Sequence, residues 1–126
     1  MVYRIGKRFT FDAAHTLAGL PAGHKCARLH GHTYTVEIEL AASELSPPGF
    51  VTDFGDLAPF RSYLSERIDH RPLNEVLDVE PTSENLARHF FTWCTEHLEP
   101  EIAGRVTAVR VSETPQSWAE YWQEEG

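Results

Sequence analysis

The run "HGHTYTVEIEL", residues 30 to 40, alternates His30, His32, Tyr34, Val36, Ile38 and Leu40 with Gly31, Thr33, Thr35, Glu37 and Glu39. Successive side chains of a strand point to opposite faces, so this stretch reads as a strand with one apolar and one polar face. Residues 3 to 15 repeat the pattern: Tyr3, Ile5, Phe9, Phe11, Ala13 and His15 share one parity, with Lys7 the one polar interruption. "RVTAVRVSE" is a third, β-branched strand, and "SWAEYW" predicts a short fourth. Between the second and third strands, Leu57, Phe60, Leu64 and Ile68 fall at helical spacing, with Asp53 or Asp56 as N-cap. Pro59 favours the later start, because a proline is tolerated in a first turn. A second helix is capped by Thr82 or Ser83, carries Leu86, Phe90, Trp93, Cys94 and His97 or Leu98 on one stripe, and ends at Pro100 and Gly104. "SPPGF" breaks the second strand, Val51 to Asp53 is expected to be a short extended piece, and "DHRPLNEV" is expected to be a loop. The order ββααββ predicts one α+β domain over 1–126, a four-stranded antiparallel sheet with two helices on one face. Two open edges and a polar second face make an oligomer plausible.

Composition narrows the function. An apolar content of 41% supports one core, while a net charge of −8 and a pI near 5.3 leave no basic run for nucleic acid or an anionic membrane. No stretch approaches the roughly 18 apolar residues of a membrane span, and "MVYRIGKRFTF" alternates where a signal peptide would be continuously apolar. A cytoplasmic location is expected, with Cys26 and Cys94 as free thiols.

The chemistry gathers in "CARLHGH", residues 26 to 32. Residues i and i+2 of a strand face the same way, so His30 and His32 present two imidazoles to one side. An H-x-H pair alone is weak evidence. His15, at the end of the first strand on its apolar parity, reaches the same point if the two strands are neighbours; alone it would read as a buried, hydrogen-bonded histidine. Three histidines without a thiolate pair describe a zinc site with an open fourth position. Cys26 lies in the preceding loop beside Lys25 and two residues before Arg28, where cations and a metal lower a thiol's pKa. It is either a base or nucleophile, or a fourth ligand that closes the site. Asp69 and His70 follow a helix end and read either as a carboxylate-oriented proton shuttle or as two solvated loop residues. Glu113 shares a face with Val109 and Val111, and an acid there needs a partner. That partner is a ligand with paired N–H donors, or a salt bridge to Arg110 or Arg105.

The segments "FTFDAAHTL", "PAGHKCARLHGHTYTVEIEL", "VTDFGDL", "IDHRPLN", "PTSENLA" and "VRVSET" span nearly the whole chain. In that order and spacing they resemble the pterin synthases of the tunnelling fold, most closely the 6-carboxy-5,6,7,8-tetrahydropterin synthase branch. The resemblance implies zinc on His15, His30 and His32, Cys26 as proton acceptor and Asp69 with His70 as relay. It also implies Glu113 as anchor of the pterin ring and Glu84 as a residue near the pterin. Only Ala27, Arg28 and Leu29 separate Cys26 from the His-Gly-His, as in the carboxy branch, whereas the 6-pyruvoyltetrahydropterin synthases usually have a longer spacer. The implied reaction converts 7,8-dihydroneopterin triphosphate and water to 6-carboxy-5,6,7,8-tetrahydropterin, triphosphate and acetaldehyde, in 7-deazaguanine (queuosine-type) biosynthesis. Lys25, Arg28 and Arg71 are the cations available to a triphosphate. The family's trimers or dimers of trimers would use the open edges and place active sites between subunits. Formation of a 6-pyruvoyl product is the alternative, and a non-enzymatic zinc-binding module a more distant one. After Thr114, "PQSWAEYWQEEG" departs from the family's usual ending.

Overall fold

A computed structural model describes residues 2–123. Four strands, β1 (Tyr3–His15), β2 (His30–Ala42), β3 (Arg105–Thr114) and β4 (Ser117–Trp122), form one antiparallel sheet in the order β1-β2-β3-β4. Helices α1 (Ala58–Arg67), α2 (Leu73–Val76) and α3 (Ser83–His97) lie between β2 and β3 in sequence. The alternation in β1 and β2 selects the buried face: Phe9, Phe11, Tyr34, Val36, Ile38 and Leu40 meet Phe60 and Leu64 of α1 and Leu86 and Phe90 of α3 in one core. Aromatic edges do much of the packing there, with Phe60 against Phe9 at 5.1 Å and against Phe90 at 5.7 Å between ring centroids.

On the opposite face Arg4 pairs with Glu39, Arg8 with Glu37 at 2.7 Å, and Arg110 with Glu120 at 3.2 Å. These pairs are partly exposed, each contributing at most about 1 kcal/mol; their larger effect is to keep that face polar. Among the described residues no helix is long and apolar enough to cross a membrane.

The register builds the site. Pairing of β1 with β2 sets His15 directly across from His30 and Ala13 across from His32, so the three imidazoles share the buried parity at one end of the sheet. The β2–β3 ladder runs from Ala41↔Arg105 to Thr35↔Ser112, with an irregularity at Glu39/Leu40. Beyond Thr35, β2 stays paired with β1 while Thr114 turns to pair with Ser117 of β4, and the two central strands part.

Three local expectations need correction. Val51 to Asp53 is not extended sheet: Val51 and Thr52 are buried in a bend, where the Thr52 hydroxyl accepts from the Gly104 amide at 2.9 Å. Burial of two side chains and one polar tie, not pairing, fixes this piece. "DHRPLNEV" is not all loop, because Leu73 is fully buried and draws Leu73–Val76 into the helical turn of α2. Pro59 does fall in the first turn of α1, but Asp56 is not its cap: Asp53 caps a 3-10 turn, Phe54–Leu57, that contains Asp56 and leads into α1. For α3 the cap is Thr82, whose hydroxyl accepts from the Asn85 amide, an arrangement worth about 1 kcal/mol. Glu124 to Gly126, the end of the divergent tail, lie outside the described residues.

Candidate metal and ligand site

The ligating atoms of His15, His30 and His32 all lie within 4.8 Å of one another. His15 is fully buried, and its Nδ1 lies 2.9 Å from the Pro81 carbonyl and 3.1 Å from the Tyr34 hydroxyl. His30 Nδ1 lies 2.7 Å from the Arg28 carbonyl. A carbonyl only accepts, so each Nδ1 carries the proton and, in the neutral rings, each Nε2 presents a lone pair. Those two Nε2 atoms are 2.9 Å apart. His32 Nε2 is buried without a hydrogen-bond partner. The Glu113 carboxylate faces the same point, 3.9 Å from His15 Nε2 and 3.6 Å from His32 Nε2.

Two imidazole lone pairs, a carboxylate and the unpartnered His32 Nε2 thus converge, which is costly unless a cation sits between. The donor set fits a divalent metal held by three imidazoles, with backbone carbonyls orienting two of them from behind. Burial pushes the His32 imidazole below its usual value, the neighbouring His15 and His30 push the same way, and Glu113 pulls it back. Neutral imidazole is the form that ligates a metal. Burial, reinforced by Glu113, raises the Tyr34 phenol well above its usual value, so it remains a hydroxyl.

Glu113 therefore sits among the histidines and not in a salt bridge with arginine, because Arg110 is engaged by Glu120 on the opposite face. Cys26 lies in a 3-10 turn, Lys25–Ala27, partly exposed. Its carbonyl accepts from the Leu17 amide at 3.0 Å and its amide donates to His24 Nδ1 at 3.1 Å. Cys26 Sγ is not among the clustered ligating atoms, so the thiol does not complete the donor set in this arrangement.

Asp69 and His70 form a pair, with His70 Nδ1 3.1 Å from Asp69 Oδ2. They are stitched to the outer edge of β1: the Asp12 amide donates to Asp69 Oδ1 at 2.8 Å, and the His70 amide donates to the Asp12 carbonyl at 2.6 Å. The Asp12 amide is the main reason the Asp69 carboxyl is held below its usual value, so it is ionised beside the imidazole. His70 adopts φ 61°, a left-handed conformation that costs a non-glycine residue about 1 kcal/mol or more and turns its side chain outward, 76% exposed. His70, Arg71 and Pro72 line a cleft of about 540 Å³ together with His32. A second cleft, about 770 Å³, is bordered by His32 and Glu113 where β2 and β3 part, and by Trp118.

Lys25 and Arg28 are exposed on the loop, and Arg71 borders the cleft that His32 lines. Glu84 is exposed in the first turn of α3, where a carboxylate suits the helix dipole. No contact joins it to the histidines among the described residues. Tyr34 and the Pro81 carbonyl went unnoticed in the sequence. Tyr34 shares the parity of His32 and was readable as a neighbour, whereas a carbonyl leaves no trace in residue identity.

Residues 4–124 match the model of the family described as 6-pyruvoyl tetrahydropterin synthase. A 6-carboxy-5,6,7,8-tetrahydropterin synthase of Synechocystis sp. is 36% identical over 124 residues, covering 94% of this chain and 92% of its own. A dihydroneopterin monophosphate aldolase of Pyrococcus furiosus is 34% identical over 112 residues, covering 89% of each chain. The solved 6-pyruvoyl tetrahydropterin synthase of Caenorhabditis elegans superimposes with a TM-score of 0.81 at 26% identity, over 97% of this chain and 96% of its own. From the three-histidine cluster, the meander that aligns it and the extent of these matches, the chain belongs to the 6-pyruvoyl tetrahydropterin synthase family.

Proposed function

We propose that the protein is a zinc enzyme that converts 7,8-dihydroneopterin triphosphate and water to 6-carboxy-5,6,7,8-tetrahydropterin, releasing triphosphate and acetaldehyde. The observation that carries the reading is the convergence of three imidazoles and the Glu113 carboxylate on one point, with His32 Nε2 left unpartnered there. The similarity to carboxy-branch relatives and the short spacer between Cys26 and His30 favour this product within the family. Zinc, when bound by His15, His30 and His32, supplies electrostatic polarisation of oxygen atoms on the pterin side chain.

The chain's own residues supply the remaining work. Glu113 accepts hydrogen bonds from the amino and ring N–H groups of the pterin, which fixes the ring relative to the histidines. Cys26, on a turn beside Lys25, takes a proton from the substrate side chain. The Asp69 carboxylate holds the His70 imidazole in one tautomer and stabilises its cation, so His70 returns or relays a proton. In the same reading Arg71, which borders the cleft lined by His32, meets the anionic tail, Lys25 and Arg28 on their exposed loop are further cations for it, and Glu84 is a residue near the pterin.

Assembly into a trimer or a dimer of trimers belongs to the same reading. Supporting it are two sheet edges, β1 and β4, and an outward-facing His70 able to serve a neighbouring copy. A cytoplasmic location, and a product destined for 7-deazaguanine synthesis, complete the proposal.

The test is incubation of zinc-loaded protein with 7,8-dihydroneopterin triphosphate, with products followed by mass spectrometry and an acetaldehyde assay. Acetaldehyde with the 6-carboxy product supports the proposal. A 6-pyruvoyl product without acetaldehyde would move the protein to the pyruvoyl branch. The relative from Pyrococcus furiosus motivates a second reading, cleavage of dihydroneopterin monophosphate, which turnover of the monophosphate and not the triphosphate would support.

A further inference from the structure

Trp118 is 58% exposed on β4, as is Trp122 further along the same strand face, beside the Arg8–Glu37 and Arg110–Glu120 pairs. One face of its indole is occupied: the Arg110 guanidinium lies 4.0 Å from the ring centroid, and Arg110 is itself held by Glu120 at 3.2 Å. The ring is thereby braced with considerable surface left open. It lines the cleft of about 770 Å³ that His32 and Glu113 also border where β2 and β3 part, a cleft that opens onto the polar face of the sheet beside Arg8, Glu37 and Arg110. The β3–β4 register shifts between Val111 and Thr114, the stretch of β3 that carries Glu113 and faces the start of β4 where Trp118 stands.

We propose that Trp118 is the aromatic wall of the ligand cleft, packing its free surface against the planar bicyclic ring whose N–H edge Glu113 holds. The inference deepens the pterin reading and rests on it for the identity of the ring. A carboxylate fixes the ring's edge but not its tilt, and a braced indole supplies the missing plane. Arg110 contributes as a positioning residue that acts through Trp118.

The experiment uses the intact, zinc-loaded protein. Trp118→Ala should raise KM for 7,8-dihydroneopterin triphosphate about tenfold, with a much smaller change in kcat and no change in oligomeric mass, and Trp118→Phe should recover most of the loss. In a Trp93→Phe/Trp122→Phe background, which leaves Trp118 as the one tryptophan, neopterin should quench the remaining fluorescence saturably. Unchanged KM in Trp118→Ala, or absence of quenching, overturns the proposal. If Trp118→Ala alters assembly, the quenching result decides. Failure of the wild-type protein to turn over the triphosphate would instead count against the proposed reaction, while saturable quenching by neopterin would still support the aromatic wall.

Discussion

Zinc loading and its reversal by a chelator should move the thermal midpoint by an amount the site allows us to work out. A metal that binds only the folded chain stabilises it by mass action, about 4 kcal/mol when free zinc is a thousandfold above its dissociation constant. Unfolding entropy near the midpoint is about 2.1 cal/mol/K per residue. For 126 residues this is roughly 0.26 kcal/mol/K, so the midpoint should rise by about 15 °C. His32→Ala should remove most of that rise, because it deletes one of three imidazoles whose ligating atoms lie within 4.8 Å of one another. The metal-free protein gives the contrast. There His32 Nε2 is a buried polar atom without a partner, a state that costs about 1–3 kcal/mol, and relief of that cost offsets part of the packing lost with the ring. The metal-free midpoints of wild type and His32→Ala should therefore lie within about 4 °C, and the curves should separate only as zinc is added. Asp69→Asn, outside the histidine cluster, should keep the full rise. Scanning fluorimetry across a zinc–chelator series, with metal counted by mass spectrometry, reads all three proteins. Retention of the rise in His32→Ala, or its loss in Asp69→Asn, would refute the assignment and point to the Asp12–Asp69–His70 group as the metal position.

Cys26→Ala should keep zinc at full stoichiometry while turnover falls about 100- to 10,000-fold, the usual range for a lost acid–base group; loss of metal in that variant would make Cys26 a ligand. Gly104→Ala should destabilise the fold by about 1–3 kcal/mol, since a Cβ there would lie 2.9 Å from Val51 Cγ1 and 3.0 Å from Thr52 Oγ1, and an unshifted urea midpoint would contradict the packing described. His89 is held below its usual value by burial, so from about pH 6.5 down to that lowered value the unfolded chain binds a proton that the folded chain refuses. Stability should drop through this window as pH falls and level off below it; His89→Gln should make urea midpoints less pH-dependent there, and identical pH profiles would exclude His89 as a contributor.

The sheet was legible because alternation specifies a face as well as an element: the parity that buries Phe9, Phe11, Tyr34 and Val36 also carries His15 and His32 to one side. Given that β1 and β2 are neighbours, convergence of the histidines follows from register alone. What escaped was fixed by long-range contact. Leu73 becomes helical because the core accepts it, and Val51 with Thr52 is held by burial and by Gly104, some fifty residues away along the chain. The choice of partner for Glu113 was open in the sequence because Arg110 sits close by in the chain; the pleat sends the two to opposite faces, and only the cross-strand Glu120 makes Arg110's engagement visible.

The carbonyl of Pro81 that orients His15 belongs to the segment leading into α3, sixty-six residues from the histidine it serves. Because it is main chain, no point substitution deletes it, and residue-by-residue comparison assigns it no weight. Its position depends instead on how the helix layer seats against the sheet. Chimaeras that exchange the 78–82 segment, or insertions there, would reorient the imidazole while leaving every ligand residue intact. Affinity for a metal at the three histidines would in this sense depend partly on the connection between two layers, and engineering of the site should treat that connection as a variable.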